Sequence, residues 1–125
     1  MTQTETVLST TVHGTPSGNY DGSSQDWYSD AVQAADYFRG RGGVQSIGIT
    51  VTDFEGDLTF EATLDTLSDT AAWFNILLYG DGSTAPLTDY RVETVTGNFT
   101  WIRVRVSAFS GGTINSVTVT YWIWI

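Results

Sequence analysis

Residues 98–125 read NFTWIRVRVSAFSGGTINSVTVTYWIWI, and the order of side chains in this stretch decides the fold. Side chains of a strand point to opposite faces at successive positions, so alternation reports a half-buried strand. Ile102, Val104, Val106 and Ala108 share one face; Phe99, Trp101, Arg103 and Arg105 share the other. Ser110-Gly111-Gly112 supplies turn chemistry, and the alternation then resumes. Val117, Val119, Tyr121, Ile123 and Ile125 fall on one side, and Thr118, Thr120, Trp122 and Trp124 on the other. The reading is two antiparallel strands joined by a reversal.

Moving toward the N-terminus, Ile47, Ile49 and Val51 alternate with Thr50 and Thr52, and Leu58, Phe60, Ala62 and Leu64 alternate with Thr59, Glu61, Thr63 and Asp65. Glu55-Gly56-Asp57 between them predicts a second hairpin. Trp73 to Tyr79 is apolar on both sides of the pleat apart from Asn75, as expected of a strand that is deep or at a contact. Residues 80–86 (GDGSTAP) read as a loop, and Arg91 to Thr96 as a short strand. Thr2 to Val12 suits an edge strand or an arm. Gly14 to Asp30 is a long polar loop anchored by Tyr20, Trp27 and Tyr28, and Ala31 to Phe38 is the only helix-compatible stretch. The expectation is one all-β domain, an antiparallel β-sandwich of jelly-roll type, with a long N-terminal loop and at most one short helix. Residues 1–43 form its arm and docking loop, and 44–125 its sandwich core.

Composition narrows the function. The 125 residues include 20 Thr, 11 Ser and 13 Gly, a balance that favours strands and turns over helices. Ten Asp and four Glu against five Arg and no Lys give a net charge of −9, which repels nucleic acid. Without cysteine there is no disulfide framework and no thiolate metal site. The start MTQTETVLSTTV lacks a basic, apolar leader, and YWIWI is too short to span a bilayer, so a soluble chain without a membrane partner is expected.

Chemistry is thinly represented. A triad needs a histidine beside a nucleophile and a carboxylate, and the only histidine, His13, sits next to Gly14 as an ordinary loop residue would. Asp53, Glu55 and Asp57 place three carboxylates at alternate positions of a turn, an oxygen-rich arrangement that suits Ca²⁺ but lacks the longer ligand series of an EF-hand. Asp21, Asp26, Asp30 and Asp36 form a second acidic string with the same shortcoming. Arg39-Gly40-Arg41-Gly42-Gly43 superficially matches an RNA-binding RGG segment, but in so acidic a chain it reads as a connector. No catalytic set, metal ligand or cofactor site is therefore assigned, and no enzyme activity is expected.

The aromatic faces say more. If the strands of Trp101 and Trp122 lie side by side, then Phe99, Trp101, Arg103, Arg105, Trp122 and Trp124 crowd one exposed face. With Ile125 they make a candidate subunit interface, because aromatic rings and Arg are enriched at protein contacts. Burying one large side chain is worth roughly 1.5–3 kcal/mol against a net stability of about 5–15, so association is a natural way to cover them. The alternative is a carbohydrate-binding module for a host-surface glycan, with Tyr20, Trp27, Glu61, Trp101 and Arg103 as contacts, since rings stack on sugars while Arg and Glu bond hydroxyls.

Three stretches, residues 47–66, the WFNI of 73–76 and residues 97–122, resemble a β-sandwich module of virion and tail-associated structural proteins of tailed bacteriophages, marine cyanophages in particular. The matching positions are Phe54, Gly56, Leu58, Phe60, Ala62, Thr63 and Asp65; Trp73 and Ile76; Gly97, Phe99, Trp101, Ile102, Arg103 and Val104; and Gly112, Thr113, Ile114, Ser116 and Val117. The resemblance runs from residue 47 onward, roughly two-thirds of the chain, and implies a non-enzymatic component of the virion, a capsid decoration or tail accessory. It implies a symmetric homo-oligomer, a trimer by preference, docked on other virion proteins. Residues 1–43 lie outside the likeness, and the YWIWI terminus reads as specific to this chain's own contacts.

Overall fold

The computed structural model describes residues 2–38, 43–69, 72–80 and 85–122, with Phe38 described by its backbone alone. The strands in chain order are β1 (Thr2–Leu8), β2 (Thr11–Val12), β3 (Trp27–Tyr28), β4 (Val32–Gln33), β5 (Val44–Thr63), β6 (Phe74–Tyr79), β7 (Leu87–Thr96) and β8 (Trp101–Trp122). A 3-10 turn at Ala35–Phe38 is all that comes of the helix-compatible stretch.

Two expected hairpins are in fact two long strands. β5 and β8 pair antiparallel along their whole lengths, from Ser46 opposite Thr120 to Thr63 opposite Trp101. Each is bent at its middle, where the sequence suggested a reversal. Glycine-rich turn chemistry permits either outcome, and the partner decides. Here the two bends face one another: Glu55 pairs with Gly111 and Asp57 with Ser107, with register shifts on both sides of Glu55. Asp53 (φ 50°), Ala108 (φ 52°) and Gly112 (φ 80°) take left-handed backbone there. A β-carbon on Gly112 would run into the Asp53 carbonyl, so the bends interlock and only glycine fits.

The bend divides one eight-stranded antiparallel sheet into two leaves that fold over each other as a sandwich. In the first leaf, β7, the N-terminal half of β5, the C-terminal half of β8, and β1 with β2 lie side by side. In the second, the order is β6, the C-terminal half of β5, the N-terminal half of β8, then β3 and β4. Residues read as an arm and docking loop thus supply four strands of the sheet. The inner faces meet in one core: Ile47, Ile49, Val51, Val117 and Val119 from one leaf, Leu58, Phe60, Ala62, Ile102, Val104 and Val106 from the other. At the bend, Phe109 packs against the rings of Tyr20, Phe54 and Trp27 at centroid distances of 5.1, 5.8 and 6.3 Å.

Some readings change. Ala108 leaves the apolar row because its left-handed backbone turns it outward, and Leu64 lies just past the strand end at 62% exposure. β6, expected to be covered on both faces, is an edge strand, and its Leu78 is 64% exposed. Buried Gln45 ties the chain's turns together, donating to the carbonyls of Gly43, Val95 and Gly97 and accepting from the Ala35 amide.

Candidate functional site

The bend separates the residues expected to share one surface. Trp101, Arg103 and Arg105 stand on the outer face of the second leaf, whereas Trp122 stands at the end of the first leaf's outer face, opposite Thr2. Phe99 precedes β8 and is buried against Phe74, so it belongs to neither surface. Trp124 and Ile125 lie outside the described residues, as do Arg39 to Gly42 of the RGG-like run. Tyr20 and Trp27, named as glycan contacts, are buried in the aromatic cluster around Phe109 and cannot present a face to a sugar. Strand period explains the Trp27 result: Trp27 pairs with Val106 and turns inward, and its neighbour Tyr28 pairs with Arg105 and turns out.

Across the second leaf, in the strand order β6, β5, β8 and then β3 or β4, the outward rows are Leu78–Thr59–Arg105–Tyr28, Asn75–Glu61–Arg103 and Thr63–Trp101–Gln33. Arg103 is fixed on three sides. Its Nε donates to Glu61 Oε1 at 2.8 Å, and its guanidinium lies 4.4 Å from the ring centre of Tyr28 and 4.3 Å from that of Trp73. Glu61 is buried, so the pair is largely desolvated. Trp101 is half-buried, its Nε1 donating to the Thr66 carbonyl at 3.0 Å and its ring edge-on to Tyr37. Arg105, one row away, is different: its Nε is buried and has no hydrogen-bond partner. It borders a groove of about 360 Å³ shared with Thr59, Asn75, Ile76, Leu77 and Leu78.

The first leaf presents another surface. In the strand order β7, β5, β8, β1 its outward rows are Tyr90–Thr50–Ser116, Val92–Gly48–Thr118–Thr6 and Thr94–Ser46–Thr120–Thr4, followed by the Thr96–Val44 and Trp122–Thr2 pairs. None of these residues is charged. Tyr90 is 79% exposed, Val92 60%, Trp122 56% and Val44 45%. Charges occur instead on the inward side of the two edge strands: Glu5 on β1, and Asp89, Arg91 and Glu93 on β7. Arg91 is bonded to Glu93, and Tyr79 donates to Asp89 at 3.0 Å. Burial, and then that bond, hold the Tyr79 phenol well above its usual range.

Among the described residues no group of three or more His, Asp or Glu gathers as metal ligands, and no helix is long and apolar enough to cross a membrane. Asp53 lies in the bend of β5, where Thr88 Oγ1 on β7 accepts a hydrogen bond from its amide. His13 lies edge-on to Phe109. Sequence reasoning missed Tyr28, Trp73 and the Arg105 groove, although the Trp27-Tyr28 alternation marked one ring as outward. The uncharged face was legible in TQTET at 2–6 and TVT at 118–120. No family model, no curated protein and no solved structure matches the chain.

Proposed function

We propose that this chain is a non-enzymatic structural component of a phage virion, a capsid decoration or tail accessory, which self-associates and docks on neighbouring virion proteins. The observation that carries the assembly half of this reading is the outer face of the first leaf, a four-strand surface whose described residues include no charged side chain, in a protein of net charge −9. Depletion of charge with exposed Tyr and Trp is the composition of an interface core. Each large side chain covered there contributes roughly 1.5–3 kcal/mol. The edges of this leaf are poorly suited to the task, because inward charges on β1 and β7 oppose strand addition. Copies therefore meet through these faces, turned toward a common threefold axis as a trimer in this reading. The virion half is supported by the resemblance of residues 47–66, 73–76 and 97–122 to phage structural modules.

Sedimentation velocity from about 1 to 100 µM tests the assembly, on the scale where interface energies of this size operate. The wild-type chain is expected as an oligomer, and Trp122→Asp or Val92→Asp as a folded monomer. A wild-type monomer at every concentration defeats the assembly reading. Immunogold labelling of intact particles tests the location, and unlabelled particles defeat that part.

A further inference from the structure

We propose that the groove beside Arg105 binds an acidic sugar, a pyranose bearing a carboxylate. This inference concerns the second leaf and does not rest on the assembly reading. It starts from the fates of the three described arginines. Arg91 is bonded to Glu93 and Arg103 to Glu61, whereas Arg105 makes no ion pair and its buried Nε has no hydrogen-bond partner. A guanidinium is always charged, and a buried donor without a partner is costly, so such a group is retained where something else supplies the acceptor. Among the described residues no carboxylate is placed to serve it.

The surroundings define the missing acceptor. The groove measures about 360 Å³, the lower end of the sizes that hold small ligands. It is open, as needed for one unit of a longer saccharide. Three residues of one row, Leu78–Thr59–Arg105, line it: a cation flanked by a hydroxyl, with an apolar wall beyond. Asn75, one row along, adds an amide. A planar carboxylate matches the two terminal nitrogens of the guanidinium, which are not enclosed as the Nε is, ring hydroxyls match Thr59 and Asn75, and the apolar face of a pyranose matches Leu78 and Ile76. Arg103 does not compete for the anion, because Glu61 already neutralises it. The net negative charge of the protein disfavours anions at long range, so binding needs the short-range fit and selects a sugar over a simple ion.

The test is a titration of the whole chain with oligogalacturonate, followed through the side-chain Nε–H resonance of Arg105. Neutral galacto-oligosaccharide and sulfated galactan fragments serve as separate arms, and sedimentation is recorded at each point. Expected is a saturable shift of the Arg105 signal with oligogalacturonate, at least tenfold weaker or no response with the neutral and sulfated sugars, and at least a tenfold loss of affinity in Arg105→Gln with partial retention in Arg105→Lys. Trp122→Asp is expected to bind as well as wild type, which separates this site from the assembly face. An unmoved Arg105 signal, equal binding of the neutral sugar, or a response to the sulfated arm alone overturns the proposal. So does an Arg105 shift that follows protein concentration without sugar, which identifies a carboxylate of a second copy as the occupant.

Discussion

The two outer faces of this sandwich are built on the same pair of strands, yet they differ in kind. On the first leaf β5 and β8 present Ser46, Gly48, Thr50, Thr118 and Thr120, short side chains whose few bonds are to threonines of the flanking β1 and β7, as in Thr4 with Thr120 at 3.1 Å and Ser46 with Thr94 at 3.4 Å. On the second they present Glu61, Arg103 and Trp101, long side chains held by an ion pair, a hydrogen bond and ring contacts, with Arg105 beside them. One face is uncharged, regular and replaceable position by position; the other depends on particular partners. A surface suited to association can be read as a pattern, whereas a surface suited to a ligand must be read residue by residue.

The largest effect should come from the residue both leaves share. Phe109 is fully buried at the bend, among Tyr20, Trp27 and Phe54. Phe109→Ala is expected to cost about 3–5 kcal/mol by chemical denaturation, from lost burial and the cavity left behind. If the leaves are one cooperative unit, near-UV signals of rings on both should disappear together. Separate transitions would break the comparison, because each leaf would then fold by itself.

The next test sets the faces against each other. Arg103→Leu leaves the buried Glu61 carboxylate without its partner; the Arg103 side chain is 26% exposed. The expected loss is therefore about 2–3 kcal/mol, somewhat below that of a fully buried pair. Thr120→Val on the first leaf removes one exposed hydroxyl bond and keeps the branched shape, so a change within about 0.5 kcal/mol is expected. Comparable losses at the two sites would mean that the threonine face is also a network of particular partners.

How far this was visible in the sequence follows the same division. Alternation placed Ile47, Ile49, Val51, Ile102, Val104, Val106, Val117 and Val119 inward, and all are in the core. It could not say whether Glu55-Gly56-Asp57 and Ser110-Gly111-Gly112 reverse the chain or bend it, because the same left-handed glycine serves both and only the distant partner strand chooses. That ambiguity put Trp101 and Trp122 on one surface when they stand on two. The clamp around Arg103 was out of reach for a related reason: it joins Tyr28, Glu61 and Trp73 from three separate strands or loops, and no local period links them. The buried state of Tyr20 was equally hidden, since its loop has no period; the structure seats it on Phe109 and has its hydroxyl accept the Gly14 amide.

The smallest expected effect lies in the segment that carries the chain from the first leaf to the second, between β2 and β3. There Asp21 closes a tight turn: its carboxylate accepts the Ser24 hydroxyl at 2.6 Å, the Ser24 amide at 2.7 Å and the Ser23 amide at 2.9 Å. These bonds, the Ser24 hydroxyl first, favour the charged form and lower its pKa from 3.8 to about 2. A group depressed in the folded state stabilises it fully above the unfolded value, and that contribution disappears as pH falls through the folded one. The turn is therefore intact above about pH 4 and loosens toward pH 2, the window set by those two values. A carboxyl carbon titration by NMR should place the Asp21 midpoint near 2, and Ser24→Ala should move it up toward 3.8. The group is fully exposed, so the change is expected in the amides of Ser23 and Ser24 and not in the core resonances of either leaf. Core resonances that titrate with Asp21 would instead couple this crossing to the packing of both leaves, and the two faces could no longer be treated as independent surfaces.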